Sequence, residues 1–285
     1  MNENSEVAAD NVRSTGFVDF AQVMFGASAF KDAGIMNVTD TYRGQILTRD
    51  DELKTAILKD LDFKELANEV LAASLASALG LPVPPAYIGV TEPGNPCASR
   101  AIIQDGRGLM FASVNVNSPS VASLVKRPDD NDTMMLLKPI VEELAKQPWL
   151  GELYGFDAWV ANVDRNIGNL LFATGTGIWI IDHGRCFTGP AWTQADLVAT
   201  GRYRNRLGEW VTPILPRAEC KRLADEAAAL AIRLRGFDAR EADGGQIVIN
   251  LIGPSDFEAL SSFLSERVPH IPRAAAEALN ESRIA

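Results

Sequence analysis

The chain has 285 residues, of which 47% are hydrophobic and 22% are charged, and these values are typical of a soluble globular protein that can form its own core. Its formal net charge of −10 argues against nucleic acid or an anionic membrane surface as the main partner, so we expect no direct nucleic-acid binding. No apolar run reaches the roughly 18 residues of a membrane span. The chain has three cysteines, Cys97, Cys186 and Cys220. They are far apart and odd in number, which excludes a disulfide framework and favours a reducing cytoplasm.

The N-terminal part of the chain predicts mainly strands. Residues 1–15 are polar and acidic, lack the apolar core of a signal peptide and are expected to be disordered. Loose alternation over residues 16–25 predicts a first strand, and the small residues at 25–30 favour an ordinary turn, with a phosphate-covering loop as the alternative. Residues 43–47 and 53–58 flank an acidic turn and predict a hairpin that ends near Lys59.

One strong helix follows this hairpin. Its apolar residues recur with a period of about 3.6 from residue 66 to residue 79, Asp62 and Glu65 have the spacing of a capping box, and Gly80 occupies the position that commonly ends a helix. Strands are predicted at 86–90, 101–104 and 109–116. The N-terminal region is therefore expected to be mostly β with one helix, and to end near Asn117.

The remainder of the chain predicts helices around one short hairpin. Helical patterns begin at residue 133 and recur at 150–160, 216–234, 256–268 and 271–279. The predicted hairpin has strands at 170–173 and 178–181, joined by a Gly-containing turn. Residues 201–206 are the most basic stretch, and both a grip on phosphate or an acidic partner and a solvated turn are open interpretations.

The hairpin brings polar residues together at one end. If Ala173 and Ile178 flank the turn, antiparallel pairing puts Asn169 opposite Asp182 at about 5 Å. Asp164 lies in the polar turn at the same end. Two carboxylates and an amide oxygen suit a hard divalent cation such as Mg²⁺, which usually takes one or two carboxylates together with phosphate oxygens. The other carboxylate then accepts a proton from an attacking hydroxyl group.

These loops resemble those of a known enzyme family. The runs in question are Asp164-Arg165-Asn166-Ile167-Gly168-Asn169 and Ile181-Asp182-His183-Gly184. They resemble the catalytic and metal-binding loops of the HipA-like kinases, and they are similar to those of the phosphatidylinositol 3- and 4-kinases. The turn Gly80-Leu81-Pro82-Val83-Pro84 resembles the turn that follows the helix in HipA-like kinases. The resemblance covers residues 43–187.

The resemblance implies a two-lobed α+β protein-kinase-like fold, with a β-rich N-lobe at 16–117 and a mainly helical C-lobe at 118–285. It implies Asp164 as the catalytic base, with Arg165 bracing the catalytic loop. Asn169 and Asp182 would then hold Mg²⁺.

The resemblance also implies a nucleotide-binding ion pair. Lys59 would bind the ATP phosphates and pair with Glu69 on the helix, although Glu65 lies one turn earlier and is a competitor. Residues 111–114 would border the adenine by position. His183 is expected to be structural.

The implied activity is transfer of the γ-phosphate of ATP to a hydroxyl group, with a protein Ser or Thr as the expected acceptor and the cytoplasm as the expected location. An inositol-type or other small alcohol is an alternative acceptor. A catalytically weak nucleotide-binding module that acts through a protein partner is a second alternative. A metal-assisted hydrolase that uses Asp164 and Asp182 is a third, and it would not need Lys59.

Overall fold

The computed structural model describes residues 18–30, 40–125, 130–173, 177–240 and 245–281, so the predicted disordered start at 1–15 lies outside the described residues. Within these ranges the protein is a mixed α+β structure with a β-rich N-terminal region, as expected. The strands are β1 (Asp19–Val23), β2 (Ser28–Ala29), β3 (Asp40–Thr48), β4 (Leu53–Asp60), β5 (Ala86–Val90), β6 (Leu109–Val114), β7 (Leu170–Ala173) and β8 (Gly177–Ile180).

Six strands form one sheet that closes on itself. The order is β1-β5-β6-β4-β3-β2, and β1 also pairs with β3, so five strands make a small ring. Apolar side chains that alternate along β1, β3, β4 and β6 form a separate buried cluster, which includes Val23, Ile46 and Met110. The ring is tightly filled: a Cβ atom on Gly89 would lie 2.7 Å from a methyl group of Val23. This compact sheet is the support on which β4 carries Lys59.

The predicted strands are confirmed except at one place. The β3–β4 hairpin, β5 and β6 occur where the patterns put them, and Gly26 has the positive φ (93°) of a turn before the short strand β2. The expected strand at 101–104 is wrong, because it is reduced to one isolated bridge between Ile102 and Gly108. The backbone N–H groups just before it, of Ser99 and Arg100, donate to the carboxylate of Asp60 and not to a neighbouring strand.

The helices carry most of the remaining chain. They are α1 (Phe63–Ala78), α2 (Val121–Leu124), α3 (Asp130–Ala145), α4 (Leu150–Trp159), α5 (Arg206–Val211), α6 (Arg217–Arg233), α7 (Gly245–Ile252), α8 (Pro254–Arg267) and α9 (Ile271–Ala278). Gly80 follows α1 with a φ of 79°, which confirms the predicted helix end. The predicted capping box is wrong, because the Asp62 side chain makes no capping bond and pairs with Arg100 at 3.4 Å.

Helix α4 forms the centre of the helical region. It is buried along nearly all of its length and packs against α6 and α9. Gly151 and Gly155 allow this close approach to α6. A Cβ atom at Gly155, for example, would lie 3.2 Å from the Cα atom of Ala227. None of the described helices is long and apolar enough to cross a membrane.

Candidate active site

A cleft of about 250 Å³ lies where the sheet meets the helical region. It is lined by β4 and β6, by the loop that runs from Asp164 to Asn169, and by residues 180–185. Phe111 and Val114 contribute to the wall next to β4, in the stretch expected to border the adenine. The six residues proposed from the sequence therefore fall in or directly behind one cleft.

Two of these residues, Asn169 and Asp182, flank the β7–β8 hairpin, whose register differs from the expected one. Ala173 pairs with Gly177, and the register continues until the N–H of Ile181 donates to the carbonyl oxygen of Asn169 at 3.0 Å. Asn169 therefore lies opposite Ile181, not opposite Asp182, and the predicted pairing was wrong by one residue. Ala173 pairs with Gly177 instead of Ile178, and this shift of one residue continues along the whole hairpin. Asp182 still lies at the same end of the hairpin, just beyond the last pair.

Lys59 lies between two carboxylates in the cleft. Its Nζ atom is 2.5 Å from Oε1 of Glu69 and 2.8 Å from Oδ1 of Asp182. Glu69 is thus the acidic residue of α1 that bonds Lys59, and Glu65 lines the cleft nearby. The second oxygen of Glu69 accepts the backbone N–H of His183 at 2.8 Å. One glutamate therefore links the sheet, the helix and the segment after β8.

The charges in this group are strongly coupled. Burial lowers the pKa of Lys59, but Asp182 and Glu69 outweigh burial and hold that pKa above its ordinary value. Burial raises the pKa of Asp182, yet Lys59 prevails and brings it to about 2. Burial raises the pKa of Glu69 above its ordinary value, with Lys59 opposing it. Lys59 is therefore a cation and Asp182 an anion at neutral pH.

Asp164 and Asn169 are joined through the backbone of their loop. The amide nitrogen of Asn169 donates to the carbonyl oxygen of Asp164 at 2.6 Å, so the amide group is turned with its nitrogen towards this loop. The N–H of Asp164 donates to the side chain of Asn162 at 3.0 Å. Asn166 caps the following 3₁₀ turn by accepting the N–H of Gly168. These local bonds fix the loop that presents the Asp164 carboxylate to the cleft.

Arg165 lies behind the cleft and does not line it. Its side chain is fully buried and pairs with the equally buried Asp157 of α4 at 3.1 Å. Its Nη1 atom also donates to the carbonyl oxygen of Ile181 at 2.6 Å. Asp182, the next residue, has a φ of 64°, a conformation that Asp tolerates but few other residues adopt. Arg165 therefore connects the loop of Asp164 to the backbone of Ile181 and Asp182.

A family model described as HipA-like kinase matches residues 47–232, which is more than half of the chain. The chain belongs to the HipA-like kinase family. Membership in this family implies kinase activity, and the matched range includes all six residues proposed from the sequence. A search of curated proteins finds no significant match.

In this HipA-like kinase a buried residue without a predicted role, Asn68, also connects the segments of the cleft. The amide nitrogen of Asn68 on α1 donates to three carbonyl oxygens of the segment after β8, those of Gly184 at 2.9 Å, Cys186 at 3.3 Å and Gly189 at 3.0 Å. Its oxygen accepts the indole N–H of Trp192 at 2.9 Å. One side chain thus attaches the helix of Glu69 to the segment that follows Asp182.

Trp210, a second residue that was not predicted from the sequence, also holds the loop of Asp164. The indole N–H of Trp210 on α5 donates to the carbonyl oxygen of Arg165 at 3.2 Å. Helix α5 also brings Arg206 into contact with Oδ1 of Asp164, and Arg185 lies 3.5 Å from Oδ2 of the same carboxylate. The basic stretch at 201–206 is the one sequence signal that pointed here.

The donor atoms at this end of the hairpin fit a Mg²⁺ ion that shares its shell with phosphate. Asp182 supplies an ionised carboxylate and Asn169 an amide oxygen, both hard donors. Among the described residues, no group of three or more His, Cys, Asp or Glu is placed to hold a metal ion. A site of one carboxylate and one amide therefore needs oxygen ligands from a bound molecule, as Mg²⁺ sites with nucleotides do.

Proposed function

We propose that this HipA-like kinase transfers the γ-phosphate of ATP, with Mg²⁺, to the hydroxyl group of a protein Ser or Thr. The nucleotide lies in the cleft between two lobes, the β-rich N-lobe at 16–117 and the mainly helical C-lobe at 118–285, with residues 111–114 beside the adenine. The observation that carries the proposal is the position of Lys59, whose ammonium group is held between Glu69 and Asp182 inside the cleft.

Lys59 acts on the phosphates through charge and position. Glu69 holds its ammonium group at 2.5 Å and is itself held by the N–H of His183, so the cation has a defined place before ATP arrives. A fixed cation costs little reorganisation when negative charge develops on the transferred group. In the bound state Lys59 keeps Glu69 and exchanges part of its contact with Asp182 for phosphate oxygens.

Asp164 receives the proton of the acceptor hydroxyl. Its carboxylate lines the cleft and its loop is fixed by Asn162 and by the buried side chain of Arg165 behind it. Asn169 and Asp182 would hold Mg²⁺, which neutralises charge on the phosphate oxygens when bound. Much of the rate then comes from alignment of the hydroxyl oxygen, the phosphorus atom and the leaving oxygen.

A phosphotransfer assay tests this proposal. The purified protein is incubated with Mg-ATP labelled at the γ-phosphate and with a mixed set of Ser/Thr peptides and small alcohols, and transfer and ADP release are measured. Lys59→Met should reduce transfer by at least about 100-fold, while Lys146→Met, a change at an exposed lysine outside the cleft, should leave it unchanged.

Three results would contradict the proposal. Lys59→Met with full activity would favour a metal-assisted hydrolase that uses Asp164 and Asp182. Tight nucleotide binding without any transfer would favour a nucleotide-binding module that acts through a partner. Transfer to small alcohols alone would keep the kinase and exclude a protein acceptor.

A further inference from the structure

Both carboxylate oxygens of Asp164 face an arginine. Arg206 contacts Oδ1, and Nε of Arg185 lies 3.5 Å from Oδ2. The amide of Asn166 also donates to Oδ1, at 3.3 Å. The two arginine side chains are 37% and 41% exposed, whereas Asp164 is 21% exposed, so the arginines cover part of a carboxylate that still lines the cleft.

The backbone of Arg206 is firmly held, so only its side chain can move away from Asp164. Helix α5 is tied to the catalytic loop by Trp210, and Thr212 just after it donates to the carbonyl oxygen of Ala278 at 2.9 Å. Gly208 lies so close to α9 that a Cβ atom there would collide with the same carbonyl group. The backbone of helix α5 therefore keeps Arg206 next to Asp164, while its guanidinium group can change partners.

Two arginines share the carboxylate of Asp164. Among the described ion pairs, Arg204 has Glu209 as its partner at 2.5 Å, while Arg206 and Arg185 share the single carboxylate of Asp164. Glu209 and Glu65 attract Arg206 and Arg185 from nearby, but among the described residues neither forms a direct ion pair with them. A guanidinium group that leaves Asp164 therefore lacks a direct counter-charge until another anion binds it.

An acceptor hydroxyl that bonds Asp164 approaches a carboxylate whose two oxygens already face Arg206 and Arg185. A neutral acceptor would draw Asp164 away from these cations without replacing its charge, whereas a carboxylate or phosphate beside the hydroxyl would offer them a bidentate partner. We infer that Arg206 and Arg185 form a subsite for an anionic group next to the acceptor hydroxyl, so that the acceptor is an acidic peptide segment. This inference rests on the proposed function.

A binding experiment tests the subsite with the nucleotide site already filled. The protein is saturated with Mg²⁺ and a non-hydrolysable ATP analogue, and its binding of the analogue is measured first. Three fluorescent Ser peptides that differ only in flanking residues are then titrated: one has Asp and Glu, one has Asn and Gln, and one has Lys. The proteins are wild type, Arg206→Gln, Arg185→Gln and, as a matched control, Arg217→Gln at a 93% exposed arginine.

We expect the wild type to bind the acidic peptide about tenfold more tightly than the neutral one, and the lysine peptide most weakly. Arg206→Gln should weaken the acidic peptide about fivefold, leave the neutral peptide unchanged and keep the thermal stability. Arg185→Gln should act in the same direction, and Arg217→Gln should match the wild type. The preference should decrease with added salt.

Several results would overturn the inference. They are equal binding of the acidic and neutral peptides, no peptide binding at all, and an equal loss for all three peptides in Arg206→Gln. Weaker binding of the ATP analogue by Arg206→Gln would also overturn it, because the arginine would then serve the γ-phosphate. If the wild type does not bind the analogue, the proposed function fails and the subsite fails with it, whereas analogue binding without charge preference refutes the subsite alone.

Discussion

Replacement of Arg165 by Met tests the support of the active site. Arg165 and Asp157 are both fully buried, and they form an ion pair that joins the loop of Asp164 to α4. The substitution keeps most of the apolar volume and removes the guanidinium group. It leaves the carboxylate of Asp157 without its cation and the carbonyl oxygen of Ile181 without its donor.

The expected loss in the free energy of unfolding follows from the burial of this ion pair. Removing one partner of a buried ion pair costs about 3–5 kcal/mol, because the remaining charge has lost its compensation. The lost bond to Ile181 adds about 1 kcal/mol. We therefore expect Arg165→Met to lower the free energy of unfolding by about 4–6 kcal/mol. Replacing both partners, as Asp157→Leu with Arg165→Met, should recover at least about half of that loss, because no unpaired charge remains.

Urea unfolding at neutral pH, followed by circular dichroism, measures these changes. The matched control is Arg240→Met, which breaks an exposed pair with Glu258 and should change the free energy of unfolding by at most about 0.5 kcal/mol. A loss below about 1 kcal/mol for Arg165→Met, similar to that of the control, would refute the view that this pair holds the loop.

Three further predictions concern other buried contacts that hold the candidate active site and the helices in place. Asn68→Ala should cost about 1–3 kcal/mol of unfolding free energy in urea, because a buried indole N–H loses its acceptor, and a change below about 0.5 kcal/mol would contradict that. Burial holds the pKa of His183 well below its ordinary 6.5, so below pH 6.5 the unfolded chain binds more protons than the folded protein. The free energy of unfolding should therefore fall by up to about 1.4 kcal/mol per pH unit as the pH decreases. His183→Gln should lack this dependence between pH 6.5 and 5.5, whereas the control His270→Gln should keep it. Gly151→Ala should lower the melting temperature, since its methyl group would collide with Glu226 on α6, and an unchanged value would refute the close packing.

Local patterns were enough to predict most elements. The β3–β4 hairpin has strand-forming runs on both sides of an acidic turn, and α1 has a 3.6-residue period that ends at Gly80, so each is decided by residues close together in the chain. Helices α6, α8 and α9 were predicted for the same reason. Helix α5 has only six residues and α7 is a nearly continuous apolar run, so neither shows a clear 3.6-residue period.

Register was harder to predict than the elements themselves. Two glycines, Gly175 and Gly177, follow the first predicted strand, and either is compatible with a turn. The choice made from the sequence put Asn169 opposite Asp182, and the structure puts it opposite Ile181. A change of one residue in the turn shifts every pair in a hairpin, and no residue within the two strands could reveal it.

Contacts between distant segments were not predictable. Asn68 bonds carbonyl groups 116 to 121 residues away, and carbonyl groups leave no trace in the residue types of a sequence. Arg206 reaches Asp164 over 42 positions, and only the density of arginines around it drew attention to that stretch. The choice of Glu69 over Glu65 likewise depends on how α1 is rotated against the sheet.

Thermal unfolding with and without Mg-ATP tests the central claim most directly. A ligand that binds only the folded state must stabilise it, by about 2.7 kcal/mol at 100 times its Kd, so the wild type should melt several degrees higher with millimolar Mg-ATP. Asp182→Asn should lose the part of the shift that depends on Mg²⁺, whereas Asp105→Asn, a change at an exposed aspartate outside the cleft, should keep it. A wild type that shows no shift at millimolar Mg-ATP would contradict the account.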